Sequence, residues 1–161
     1  MAASRDFRDK LYDYLELPAD SVLSRRRIPR PKKFSPTILL NNRLTTRSFE
    51  NVPEMVRLLS NHYRIGVSVV PEFVPGTSLR KQGEYFRKVD VYIAAHGAGE
   101  VNYMFLPKGA SVIEIFPFGM KNMLFERHAK NLGLKLALVL CYVTYTYRIA
   151  LLSSSFVVKT T

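Results

Sequence analysis

Residues 89–102 run Val-Asp-Val-Tyr-Ile-Ala-Ala-His-Gly-Ala-Gly-Glu-Val-Asn, and this stretch limits the fold more than any other. Its first half, with β-branched Val91 and Ile93, has the length and residue types of a buried strand. It runs directly into a histidine and two glycines before a short helix-like segment. In open parallel sheets ligands sit beyond the carboxyl ends of the strands, where a turn without side chains lets backbone N–H groups approach an anion.

The flanking sequence repeats the pattern. Thr37-Ile38-Leu39-Leu40, residues 66–71 and residues 110–117 are further apolar runs of strand length. Between them lie helical stretches. One begins near Asn51, Pro53 and Glu54, with Met55, Leu58, Leu59 and His62 on one face. A short polar one covers residues 79–89. A third carries Leu124, Phe125, His128, Ala129 and Leu132 and is closed by Gly133, a C′ glycine. Strand and helix alternating at this spacing predict parallel βαβ units. His62, at a helix end, is read as a capping or half-buried structural residue, and His128 as a helix-surface or packing residue.

A chain of 161 residues is long enough for one domain with its own core. Residues 1–36 are expected to hold an N-terminal helix and a connector, residues 37–135 the Rossmann-like domain, and residues 136–161 a divergent apolar tail. Within the connector, residues 24–36 carry six basic residues and three prolines. Proline at that spacing disfavours both helix and strand, which predicts an extended, exposed segment. Twelve uncharged residues, 136–147, are too few for a membrane-spanning helix, which needs about 20, and suit a buried strand. The first residues have no apolar core of a signal peptide, so this chain carries no recognisable signal or anchor.

The charge balance is less ordinary. With 24 Lys+Arg against 13 Asp+Glu, the net charge of +11 favours phosphate-bearing partners or an acidic surface. A binding module using that surface for nucleic acid or anionic membrane is one functional class consistent with it; a solvated basic face is the bland alternative. Cys141, the single cysteine, cannot form an internal disulfide and reads as a buried thiol.

Several chemistries are poorly supported by the residues. Asp90 is the only aspartate after Asp20, so there is no close aspartate cluster for Mg²⁺ or Mn²⁺. One Cys and three dispersed His do not make a zinc site. Neither a Gly-x-Ser-x-Gly elbow nor a Walker motif occurs, and Gly97-Ala98-Gly99 lacks the third glycine of the dinucleotide fingerprint. What the residues do permit is a metal-free site for a charged diphosphate. It would use Arg43 and Arg47, four apart in the loop after the first strand, together with His96 and the backbone that follows it.

Three ordered motifs carry a resemblance. Asn42-Arg43 with Arg47-Ser48-Phe49-Glu50-Asn51, then Asp90 through Gly99, then Asn102 and residues 105–117 (Phe-Leu-Pro-Lys-Gly-Ala-Ser-Val-Ile-Glu-Ile-Phe-Pro) together resemble glycosyltransferase family 61. That family includes protein O-linked N-acetylglucosamine transferases of the endoplasmic reticulum and plant xylan xylosyl- and arabinosyltransferases. The resemblance implies an inverting, metal-independent transfer of a sugar from a UDP-sugar to a glycan or protein hydroxyl. It implies no cofactor beyond the UDP-sugar donor, and a Golgi or endoplasmic reticulum setting.

The implied architecture is GT-B, with this chain similar to the C-terminal nucleotide-sugar-binding half and a possible N-terminal half missing. No nucleic-acid partner is expected. By position, Arg43, Arg47, His96, Gly97, Ala98 and Gly99 would meet the donor diphosphate. Glu114 would face the ribose or nucleotide, with helix capping the alternative, and Asn102 would cap a helix or touch a phosphate. No catalytic base is identified. Glu100 departs from the family's usual apolar residue, which predicts a negative charge beside the diphosphate.

Overall fold

The structure is a computed structural model that describes residues 2–18, 36–43, 47–63, 67–71, 77–117, 119–120, 122, 124–140 and 159–160. The basic run 24–35, Cys141 and the apolar residues 141–147 lie outside the described residues.

Helix α1 (Ala2–Tyr14) is followed by strand β1 (Ile38–Asn42), helix α2 (Val52–Tyr63), strand β2 (Val67–Pro71), helix α3 (Leu79–Phe86) and strand β3 (Val91–Ala95). A 3₁₀ segment (Ala98–Phe105), strand β4 (Ser111–Phe116), helix α4 (Leu124–Asn131) and strand β5 (Lys135–Leu140) complete the alternation. The sheet order is β2-β1-β3-β4-β5, all parallel, with the two-residue strand β6 (Lys159–Thr160) antiparallel on β5. This is a Rossmann-like sheet with helices on both faces, as the alternation of patterns predicts.

Why these strands are central follows from their composition. β1 and β3 are buried on both faces, which suits the near-continuous apolar runs Ile38-Leu39-Leu40 and Val91-Tyr92-Ile93-Ala94-Ala95. On one face Leu39, Tyr92, Ala94, Val112 and Leu136 pack with Phe86 of α3, Tyr103 and Phe105 of the 3₁₀ segment, and Phe125 and Ala129 of α4. On the other, Leu40, Ile93, Ala95 and Ile115 meet Met55, with Val52, Val56 and Leu59 of α2 packed against them.

Two helical faces differ from expectation. In α2 the inward stripe is Val52, Met55, Val56 and Leu59, while Leu58 and His62 are exposed. In α4 Phe125, Ala129 and Leu132 are buried, and Leu124 and His128 face solvent. In both, the apolar positions that reach the sheet are spaced three and four apart, and residues one step (about 100°) away rotate off it. The C′ glycine behaves as predicted. Gly133 has φ of 72°, its N–H bonds Lys130 O at 3.1 Å and Leu134 N–H bonds Ala129 O at 3.0 Å, the two bonds of a Schellman end.

Helix α1 is locked to this end of the fold. Arg8 is buried, and its Nη1 donates to Leu132 O at 3.0 Å and to Leu106 O at 3.4 Å, satisfying carbonyls where α4 and the 3₁₀ segment stop. Tyr12 Oη donates to Phe105 O beside it.

Candidate functional site

The strand order reverses between β1 and β3. The chain leaves β1 toward β2 on one side, then returns through α3 to place β3 on the other. A crevice at the carboxyl end of such a switch point is where open α/β sheets hold ligands, and for the order 2-1-3-4-5 it falls between β1 and β3. The loop after β1 carries Arg43 and Arg47, and the turn after β3 is His96-Gly97-Ala98-Gly99.

The first of these loops is tied back on itself. β1 runs two residues further than the apolar run suggests, through Asn41 and Asn42. Asn42 Oδ1 accepts from Phe49 N–H at 2.7 Å, and Phe49 is buried against the α2 face of the sheet. Arg47 adopts a φ of 58°, a left-handed conformation that costs a side-chain-bearing residue about 1–2 kcal/mol. That conformation accompanies a hydrogen bond from Arg47 Nη1 to His96 O at 2.6 Å, which spans from one loop to the other.

Gly97 lies beneath both guanidinium groups. A Cβ placed on it would be 2.6 Å from Arg43 Nη1, 3.0 Å from Arg47 Nη1 and 3.1 Å from Arg47 Cζ. Its φ of 156° with ψ of −179° is a region open almost exclusively to glycine. The turn thus requires glycine twice over, for its backbone angle and for the space the arginines occupy. Ala98 is exposed and Gly99 half-buried at the start of the 3₁₀ segment, whose first N–H groups have no partner within the segment.

Under the turn is a buried polar cluster. His96, at 4% exposure, stacks on Phe116 at 4.8 Å between ring centroids and meets the edge of Phe125 at 5.3 Å. Its Nδ1 is hydrogen-bonded to Glu114 Oε1. Glu114 and Glu100 are each 1% exposed, and Glu100 Oε2 lies 4.0 Å from His96 Nδ1. The β3–β4 register puts Glu114 opposite Ala94, on the same sheet face as His96 two residues on.

Two buried carboxyls side by side cannot both be charged at ordinary cost. Burial, then the neighbouring charge of Glu114, pushes the Glu100 carboxyl up to about 10, and the Gly97 peptide and Arg47 oppose this without reversing it. Burial also raises Glu114, against the pull of His96. The Tyr103 hydroxyl is held above its usual range, first by burial and then by Glu100 and Glu114. Burial and the neighbouring carboxyl thus oppose the negative charge expected of Glu100. Desolvation favours its neutral form, and Arg47 is the arginine whose charge is felt at this carboxyl.

The positions predicted for a diphosphate, Arg43, Arg47, His96 and Gly97, converge here. Glu114 is placed differently: a carboxylate for ribose hydroxyls needs an exposed face, and this one is enclosed beneath His96. Nor does it cap a helix, since it lies within β4. Asn102 falls inside the 3₁₀ segment, whose N-cap position is Gly97, so capping by Asn102 does not occur there.

One connection has little trace in the sequence. Asn41 Nδ2 donates to Tyr92 Oη at 2.8 Å, and Tyr92 Oη donates to Gly99 O at 3.4 Å, joining β1 to the end of the glycine turn. A tyrosine inside an apolar strand and an asparagine ending another are its only visible signal.

His96, Glu100 and Glu114 also form a group whose ligand atoms all lie within 4.8 Å of one another. His96 Nδ1 and Glu114 Oε1 are hydrogen-bonded within it.

Comparison with known proteins places the same segments in one group. The model of the family described as Glycosyltransferase 61 matches residues 4–113. Alpha-1,3-arabinosyltransferase XAT2 of Oryza sativa subsp. japonica is 34% identical over 135 residues, which is 81% of this chain and 22% of that protein. Alpha-1,3-arabinosyltransferase XAT3 of the same organism is 31% identical over 71% of this chain and 19% of its own length. Beta-1,2-xylosyltransferase XYXT1, also from Oryza sativa subsp. japonica, is 27% identical, with 71% and 23% covered. The chain spans about a fifth of the length of these relatives. Among the described residues no helix is long and apolar enough to cross a membrane.

Proposed function

Because the chain belongs to glycosyltransferase family 61, we propose that its β1/β3 switch point binds the diphosphate of a UDP-sugar and serves inverting transfer of the sugar to a glycan or protein hydroxyl. The observation that carries this reading is the convergence of Arg43 and Arg47 on Gly97. Two guanidinium charges over one glycine repel each other, and a bound dianion relieves that repulsion. Planar guanidinium groups also match phosphate oxygens in pairs.

In the reaction, the acceptor oxygen forms a bond to the anomeric carbon as the bond from that carbon to the diphosphate breaks on the opposite face. The acceptor proton passes to a base, and the electron pair of the broken bond stays on UDP. Arg43 and Arg47 would stabilise that growing charge, which supports a mechanism without a metal. No described residue is assigned as the base; in a GT-B arrangement it and the acceptor site would belong to a further domain. Of the three relatives described above, two are named arabinosyltransferases and one a xylosyltransferase. Those names support a pentose as the sugar transferred; a glycan acceptor and a Golgi or endoplasmic reticulum setting belong to the same proposal.

Isothermal titration calorimetry with UDP tests the reading. Losing one charge-assisted contact of about 1.5–3 kcal/mol predicts binding weakened by about 10- to 100-fold in Arg47→Ala. No heat at millimolar UDP, or unchanged affinity in Arg47→Ala, would sink it.

A further inference from the structure

The buried cluster beneath the glycine turn has one member that nothing so far puts to use. Glu100 is 1% exposed, and neither of its carboxyl oxygens, nor Glu114 Oε2, receives a hydrogen bond from another described donor. The Gly97 peptide and Arg47 favour its charge only in part, and the cost of burying such an acid falls if one proton is held between the two carboxyls.

We propose that Glu100 is a positioning residue for the donor turn: a proton held between its carboxyl and that of Glu114 leaves Glu114 to grip His96 Nδ1, and this chain fixes Gly97 beneath Arg43 and Arg47. It rests on the reading of that turn as the diphosphate site.

The geometry ties Glu100 to the turn at both ends. Its backbone N–H donates to Gly97 O at 2.9 Å, and its carboxyl reaches down to the Glu114–His96 pair. His96 N–H is in turn held by Ile115 O at 2.8 Å, and His96 O by Arg47. The ring has little freedom between Phe116 and Phe125. A shift of the His96 ring is therefore passed to the adjoining Gly97 peptide and to the arginine that holds its carbonyl.

Among the described residues, the charged and titratable groups that face the cluster are Arg47 from the loop after β1, Tyr103 from the 3₁₀ segment and Glu126 from α4. Arg47 favours ionised Glu100, and Glu126 disfavours a charge on Glu114. A single proton on the pair leaves one anion for His96 and Arg47 to face.

Two substitutions separate this role from simple packing. Glu100→Gln keeps the shape and supplies an N–H donor to Glu114; Glu100→Leu fills the space and supplies none. UDP affinity within about twofold of wild type for Glu100→Gln, and weakened on the order of tenfold for Glu100→Leu, is expected from the loss of one buried hydrogen bond. The infrared difference spectrum of wild type against Glu100→Gln at neutral pH should show the carbonyl stretch of a protonated carboxylic acid in the wild type alone.

Unchanged UDP affinity in Glu100→Leu overturns the positioning role. A missing protonated-acid band overturns the shared proton, as does thermal stabilisation of the wild type by Mn²⁺ or Zn²⁺ that Glu100→Gln abolishes. If Glu100→Leu does not fold, the band and the Glu100→Gln affinity decide. Wild type that fails to bind UDP refutes the donor reading and the positioning role with it, while the band still reports on the proton.

Discussion

Gly97→Ala places one methyl group at the point where the two loops meet. Its consequences divide into a backbone part and a side-chain part. The φ of 156° at this position is nearly closed to a residue with a Cβ, which costs about 1–3 kcal/mol if the turn keeps its shape. The new Cβ would also lie 2.6 Å from Arg43 Nη1 and 3.0 Å from Arg47 Nη1, distances at which something must move. Arg43 meets it with the far end of its side chain, at the shorter of the two distances. Arg47 is held by its 2.6 Å bond to His96 O, a charge-assisted contact worth about 1.5–3 kcal/mol, and gives way less easily.

Urea denaturation followed by circular dichroism should therefore show a loss of about 2–4 kcal/mol, a large part of the 5–15 kcal/mol of a typical domain. UDP affinity should fall by about 10- to 100-fold, because the added methyl group intrudes where the two guanidinium groups converge. Pairing the change with Arg43→Ala should be non-additive, since removing the arginine removes one of the clashes. A stability change below about 0.5 kcal/mol would refute the backbone argument. A stability loss with unchanged UDP affinity would instead refute the turn as the donor site.

The raised Glu100 group makes stability pH-dependent. Its folded-state value of about 10 lies above the ordinary 4.5, so the folded chain keeps a proton that the unfolded chain releases. That contribution is complete below about pH 4.5 and is lost as pH rises toward about 10, at about 1.4 kcal/mol per pH unit. Glu100→Gln has no such proton. The stability of wild type relative to Glu100→Gln should therefore fall by about 3 kcal/mol between pH 6 and pH 8 in chemical denaturation. A flat difference would show that Glu100 is not held neutral. At the other end of the fold, Arg8→Met keeps the buried stem but leaves Leu132 O and Leu106 O without their donor. A loss of about 1–3 kcal/mol is expected, with α1 cleaved ahead of the sheet in limited proteolysis; resistance equal to wild type would refute the role given to Arg8.

The sequence by itself determined the class of fold and the neighbourhood of the site. Apolar runs of strand length alternating with helical stripes specify parallel βαβ units, because burial on two faces selects continuous β-branched segments and burial on one face selects a 3.6-residue period. Gly133 as a helix end and His96-Gly97 as a turn were legible for the same reason: each is a local backbone requirement written in the residue that meets it.

Tertiary structure decided the rest. Arg43 and Arg47 are about fifty residues from Gly97, and only the strand order, which sets β1 beside β3, brings them together. Register decided the fate of Glu114. Placed opposite Ala94, it points to the face that His96 covers, where a shift of one residue would have turned it to the other side. Glu100 could be read from sequence alone only as a charge. The rise of its carboxyl above the ordinary range comes from desolvation beside a second carboxyl, and that proximity is a property of packing that no local pattern encodes.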